Sequence, residues 1–93
     1  MIASYADRQT EMVALGIRVK KFEAIARMAQ KKLSVLRAAA KLEDLKTPSG
    51  NRLGSLLGDR KGQHSIRIND QYRICFLWKD GSAYEVEIVD YHS

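Results

Sequence analysis

Near the end of the sequence, Asp90-Tyr91-His92 sets a carboxylate, a phenol and an imidazole side by side. An imidazole can give or take a proton near neutral pH, and a carboxylate can accept one or orient the imidazole. A phenol can stack on a base or donate a hydrogen bond. Two arginines, Arg67 and Arg73, sit in neighbouring stretches where apolar and polar residues alternate. A three-residue loop, Asn69-Asp70-Gln71, would pair Ile68 with Tyr72 and Ile66 with Ile74, which sets Arg67 directly across from Arg73. Facing like charges repel, but guanidinium forks match phosphate oxygens, so the pair reads as a phosphate site. The plainer alternative is an Arg73–Glu87 surface ion pair, worth under about 1 kcal/mol. RNA cleavage by attack of the ribose 2′-oxygen needs one group to take the 2′ proton and one to protonate the leaving 5′-oxygen. It also needs a cation to stabilise the phosphorane. Histidine, aspartate and arginine can supply all three without a metal or other cofactor.

Composition narrows the alternatives. At 93 residues, with 45% hydrophobic and 29% charged positions, the chain fits one domain, 1–93, with no material for a second core. A lone Cys75 permits neither an internal disulfide nor a cysteine-based zinc site, and it reads as a small strand residue. No run of 18 apolar residues suggests a membrane span, and Met1–Tyr5 is too short and polar for a signal peptide, so a cytoplasmic location is expected. The sequence holds no GxxxxGK[ST] loop, GxSxG elbow or HExxH pair. Sixteen Lys and Arg against eleven Asp and Glu give +5, and the excess lies entirely before residue 51. That half holds ten basic and five acidic residues, and the remainder six of each. Such asymmetry points to a polyanionic partner, RNA first, or to a solvated basic helix face.

Two kinds of element would position these groups. Asp7 is placed to cap a short helix that stops at Gly16. Phe22, Ile25, Ala29, Leu33, Leu36 and Ala40 recur at spacings of three and four, predicting a helix of about five turns. Leu42 and Leu45 would extend it until Pro48 and Gly50 stop it. Its polar face would carry Arg27 and Lys31, with Lys20 and Lys21 at the entry. Leu53, Leu56 and Leu57 allow a short strand, and Gly58-Asp59-Arg60-Lys61-Gly62 reads as a polar loop between glycine hinges. From His64 the period becomes two, predicting a three-stranded meander. A three-residue loop Lys79-Asp80-Gly81 would pair Phe76 with Tyr84 and Ile74 with Val86, bringing Glu87 beside Arg73. Tyr72, Phe76, Trp78 and Tyr84 then read as core. Strand alternation sends Tyr91 to the arginine face and Asp90 and His92 to the other, unless the chain end curls.

Taken in order, Gly50-Asn51-Arg52-Leu53, Gly58-Asp59-Arg60, the run Gly62 to Phe76 and the ending Val86 to His92 resemble the HigB toxins, members of the RelE-like bacterial toxins. Residues 1–20 fit as well, so the resemblance covers nearly the whole chain. It implies an α+β fold in which N-terminal helices pack on one face of a small antiparallel sheet, RelE-like and related to the microbial ribonucleases. It implies a ribosome-dependent endoribonuclease that cuts mRNA in the ribosomal A site. A HigA-type helix-turn-helix antitoxin would silence it, and operator DNA would be met only through the toxin–antitoxin complex. On matching positions, Arg73 would contact the scissile phosphate, and Asp90, Tyr91 and His92 would line the cut site. His92 would be the general acid, and Asp90 either the base or the group orienting His92. Arg60, Lys61 and Arg67, with Lys20, Lys21, Arg27 and Lys31, would contact phosphates. Some HigB toxins carry a lysine before the Gly-Asp pair where this chain has Leu57; either Arg60, Lys61 or Arg67 would substitute for it or the chain would work without that group, which leaves the base open. A non-catalytic RNA-, ribosome- or antitoxin-binding relative of the same fold is the alternative.

Overall fold

A computed structural model describes residues 1–56 and 58–91; Leu57, Ser93 and the expected acid His92 lie outside the described residues. Two helices, α1 (Arg8–Ala14) and α2 (Ala26–Ala38), cover one face of an antiparallel sheet of β1 (Gly54–Ser55), β2 (His64–Arg67), β3 (Tyr72–Lys79) and β4 (Ser82–Asp90), in that spatial order. The expected α+β layering is therefore present, and the short β1 widens the meander to four strands.

The first helix begins where Asp7 accepts a hydrogen bond from the Thr10 backbone N–H at 2.7 Å. Its buried Thr10 hydroxyl accepts the Ile88 N–H at 3.0 Å, which fastens α1 to β4. The predicted stripe is buried as Phe22, Ile25, Ala29, Leu33 and Leu36, but it does not lie on one continuous helix. Lys20–Ile25 is a tighter 3-10 segment, and α2 ends at Ala38. Asp44 explains the stop: its carboxylate accepts the backbone N–H groups of Ala40 and Lys41, both at 3.0 Å. Those bonds compete with continued helix. Ala39 is therefore buried in place of Ala40, and Leu45 reaches the core from a separate 3-10 turn, Leu42–Lys46.

In the sheet, Ile66 pairs with Ile74 and Arg67 with Arg73, as the alternation predicts. The Ile68 N–H donates to the Tyr72 carbonyl at 3.0 Å and closes the three-residue loop. The last hairpin differs. Lys79 pairs with Ser82 across a two-residue turn, Asp80-Gly81, with φ of 52° and 78°. Two consecutive left-handed residues match the twist of the flanking strands. A Cβ at Gly81 would also stand 3.3 Å from the Ala40 carbonyl oxygen. The shorter turn moves the register by one, so Trp78 faces Ala83 and Leu77 faces Tyr84. A bulge at Glu85, φ 51°, then restores the phase, and Ile74 pairs with Ile88. As a result Ala83, Val86 and Ile88 point into the core, while Tyr84 is 36% exposed and is not a core residue. Phe76 is fully buried, and Tyr72 and Trp78 are half-buried against the core. The N-terminal arm runs parallel to β4 with bridges at Ile2–Ala83 and Tyr5–Val86, and the Ser4 hydroxyl accepts the Glu85 N–H at 2.9 Å.

Candidate active site

The sheet face away from the helices gathers side chains from three places. β3 supplies Arg73 and Cys75 at alternate positions, β4 supplies Glu87 and, just beyond its end, Tyr91, and the loop before β2 supplies Arg60. The corrected register puts Glu87 opposite Cys75 and Val89 opposite Arg73, so the expected Arg73–Glu87 pair does not form. Arg60 takes Glu87 instead: its Nη1 donates to Glu87 Oε1 at 3.1 Å and to Gln63 Oε1 at 3.1 Å. Gly58 and Gly62, with φ of 65° and 92°, turn the loop at the two hinges read from the sequence. Burial works against the Arg60 charge, but the hydrogen bond and charge of Glu87 outweigh it and hold the guanidinium above its ordinary pKa.

Arg67 and Arg73 face each other and diverge. Arg67 pairs with Asp70 in its own loop. Arg73 reaches the other way: its Nε donates to Ser65 Oγ at 2.7 Å and its Nη2 to the Arg52 carbonyl at 2.6 Å. Arg52 sits in the left-handed region at φ 47°. Repulsion is thus relieved by giving each cation its own acceptor, and Arg73 is pinned in one orientation by two bonds. Tyr91 is 43% exposed, and its phenol lies beside the Cys75 thiol. Burial raises the thiol pKa, with nearby Arg60 only partly offsetting it, which keeps Cys75 an inert floor beneath the charged groups. Partial burial, followed by the neighbouring thiol, also raises the Tyr91 pKa, so the phenol stays protonated and able to donate.

Strand alternation sends Asp90 to the opposite side from Tyr91. Its Oδ2 accepts from Gln71 Nε2 at 3.1 Å, and the Tyr91 N–H donates to the Gln71 carbonyl at 2.6 Å. Of the expected site residues, then, Arg60, Arg73 and Tyr91 share one face, Asp90 stands at the sheet end, and Arg67 is held by its loop. Lys61 is exposed beside Arg60. Lys20, Lys21, Arg27 and Lys31 are exposed on the helical layer, with Lys21 Nζ 5.3 Å from the Phe22 ring centre.

Sequence reasoning missed Ser65, the Arg52 carbonyl and the Lys32–Asn51 pair. Ser65 and the Arg52 carbonyl orient Arg73, and only the fold brings Arg52 there. Glu87 was legible as a neutralising carboxylate but was assigned to the wrong arginine. Lys32 donates to Asn51 Oδ1, and the buried Asn51 donates in turn to the Leu45 carbonyl at 3.1 Å. Burial first, then Lys31 and Arg67, lower the Lys32 pKa, so these cations stand close enough to act on one another. Among the described residues, no three His, Cys, Asp or Glu side chains gather as a metal-binding group. No helix there is long and apolar enough to cross a membrane.

Comparison with known proteins bears on the same residues. The family model described as the RelE-like toxin of the type II toxin–antitoxin system HigB matches residues 16–92, which takes in the whole group above. Toxin HigB-1 of Vibrio cholerae serotype O1 is 51% identical over 53 residues, 57% of this chain and 56% of that protein. The chain thus spans about half the length of the curated relative it matches. Among solved structures, a YafQ variant from E. coli superposes with a TM-score of 0.67 at 13% identity, covering 98% of this chain and 94% of that one. A YoeB–YefM complex from Staphylococcus aureus superposes with a TM-score of 0.57 at 18% identity, covering 100% and 99%. At those identities the two structures speak for the fold, and the family match speaks for more: the chain belongs to the HigB-like family of RelE-like toxins of type II toxin–antitoxin systems.

Proposed function

We propose that the protein is a ribosome-dependent endoribonuclease that cuts mRNA in the ribosomal A site and so halts translation. The observation that carries this reading is the solvent-facing group of Arg60, Arg73 and Tyr91 on the sheet face opposite the helices. Two guanidinium groups on one face can grip a phosphate and stabilise the charge that grows as it becomes a phosphorane. Tyr91, protonated and part-exposed, can stack on a base or hold the 2′-hydroxyl. His92 follows Tyr91 directly and serves as the acid for the leaving 5′-oxygen, with Asp90 orienting it from the sheet end. The exposed Lys20, Lys21, Arg27, Lys31 and Lys61 hold the protein on ribosomal RNA by contacts to phosphate. No cofactor is required for this chemistry.

An antitoxin partner follows from the family, and the YoeB–YefM neighbour is itself a two-protein complex. A HigA-type helix-turn-helix protein is the expected partner, with operator DNA engaged only by the complex, in the bacterial cytoplasm. The test is expression of wild type, Arg73→Ala and His92→Gln, with growth and mapped mRNA 5′ ends as readouts. Wild type should arrest growth and produce new ends on translated messages, and both variants should produce few. New ends at wild-type frequency in both variants would remove the assigned site. A wild type that binds ribosomes without cutting would select the non-catalytic alternative.

A further inference from the structure

Cleavage by the 2′-oxygen needs a base as well as a cation. The sequence leaves that base open, and the structure holds Asp90, one candidate, on Gln71 at the sheet end rather than on the face that carries Arg73. We propose that Glu87 is the catalytic base: it takes the proton of the ribose 2′-hydroxyl. This rests on the endoribonuclease reading above and names a residue for one of its steps.

Three observations place it. First, the bulge at Glu85 and the two-residue turn together bring Glu87 opposite Cys75 and onto the face that holds Arg73. Arg73 lies one same-face position along β3 from Cys75, roughly 7 Å at strand spacing. A nucleotide is long enough to touch both Arg73 and Glu87. Second, Arg60 bonds Glu87 through Oε1, which fixes the carboxylate, and among the described residues no side chain bonds Oε2, the oxygen that would accept from a hydroxyl. The same guanidinium stands where the phosphate next to that hydroxyl would lie. Third, the side chains of Glu87 and Arg60 are 31% and 32% exposed, enough for a ribose to reach them without unfolding the loop. Cys75 and Tyr91 close the space beneath and beside the pair.

The step balances without a co-reactant. The 2′-hydroxyl proton passes to Glu87 Oε2 as the 2′-oxygen bonds to phosphorus, and the P–O5′ bond breaks. The leaving 5′-oxygen takes its proton from the acid, assigned above to His92. The products are a 2′,3′-cyclic phosphate and a 5′-hydroxyl end, and Glu87 then returns its proton to water.

The experiment is single-turnover cleavage of a defined message on programmed ribosomes, across pH, with wild type, Glu87→Gln, Glu87→Asp and Arg60→Ala. Affinity is measured in parallel on a message with a 2′-deoxy nucleotide at the cut position. Glutamine keeps an oxygen for Arg60 but cannot take the proton. Glu87→Gln should therefore slow cleavage by about 10²–10³-fold, with affinity and thermal midpoint near wild type. It should also flatten the fall in rate at acid pH. Glu87→Asp should keep a measurable part of the rate, and with it the acid fall. If Glu87 only holds Arg60 in place, Glu87→Gln will cut within threefold of wild type while Arg60→Ala is slow, and the proposal is overturned. A slow Glu87→Gln whose pH profile matches wild type overturns it as well. A wild type that never cuts removes the underlying reading together with this one, an outcome distinct from the other two.

Discussion

The two faces of the sheet solve different problems with the same kind of residue. The helical layer carries exposed Lys20, Lys21, Arg27 and Lys31, whose charges are mostly left to solvent. On the opposite face each arginine has an assigned acceptor: Arg60 on Glu87, Arg73 on Ser65 and the Arg52 carbonyl, Arg67 on Asp70. Flexible cations on a helix attract a polyanion over distance and tolerate many geometries. Cations fixed by two hydrogen bonds keep one geometry, which is what stabilising a transition state requires. The difference teaches that net charge and geometrically ordered charge are separate properties here. The +5 excess sits before residue 51, whereas the organised arginines sit in the balanced half.

Breaking the support that both faces share should have the largest effect. Leu33 is fully buried under the sheet, and Leu33→Ala should cost about 2–5 kcal/mol of stability, read from denaturant midpoints. It should lower RNA docking and cleavage together, in proportion to the folded fraction. Arg73→Ala should then separate the faces: a loss of about 10²–10³-fold in cleavage rate, with ribosome affinity nearly kept. Equal loss in both would mean that Arg73 docks as well as reacts. Asn51→Ala should cost about 1–3 kcal/mol, because it strands the Leu45 carbonyl and the Lys32 ammonium. Thermal melting checks it, and a change under 0.5 kcal/mol would show that water replaces the amide.

A smaller effect should come from the helical layer. Arg27→Glu with Lys31→Glu should weaken ribosome binding and reduce the slope of log affinity against log salt by about 1–2. Single-turnover cleavage at saturating ribosome should be unchanged, and an unchanged salt slope would take these residues out of the RNA contact. The smallest effect should come from Asp44, whose carboxyl is held below the usual range by the N–H groups of Lys41, then Ala40. A depressed folded pKa stabilises above the ordinary carboxylate range and loses that contribution as pH falls through the folded value. Wild type should therefore exceed Asp44→Asn most at neutral pH, and their melting points should converge toward acid pH. Parallel curves would show that Asp44 does not set the end of α2.

Much of this architecture could be read from local pattern. Period-two alternation fixed Ile66 against Ile74, and therefore Arg67 against Arg73, because a slip of one would have turned both isoleucines to solvent. Asp7 as a cap and Tyr91 on the arginine face also follow from nearest-neighbour rules. The second hairpin was not legible. Its two-residue turn and its bulge each shift the register by one, and the apolar pattern of Val86 and Ile88 is the same with both as with neither. Only Tyr84 and Ala83 record the difference, and Tyr84 is apolar enough to read as core. Part of what holds the bulge is remote: the hydroxyl that caps Glu85 belongs to Ser4.

The sequence by itself determined the layers, the first hairpin, the location of the charge excess and the identity of the arginines, since each depends on residue type and short spacing. Tertiary structure decided which partner each arginine takes. Arg60 meets Glu87 from 27 positions away, and Arg73 meets the Arg52 carbonyl from 21. Those pairings depend on loop closure and strand register, which the core sets, and no local pattern of polar residues encodes them.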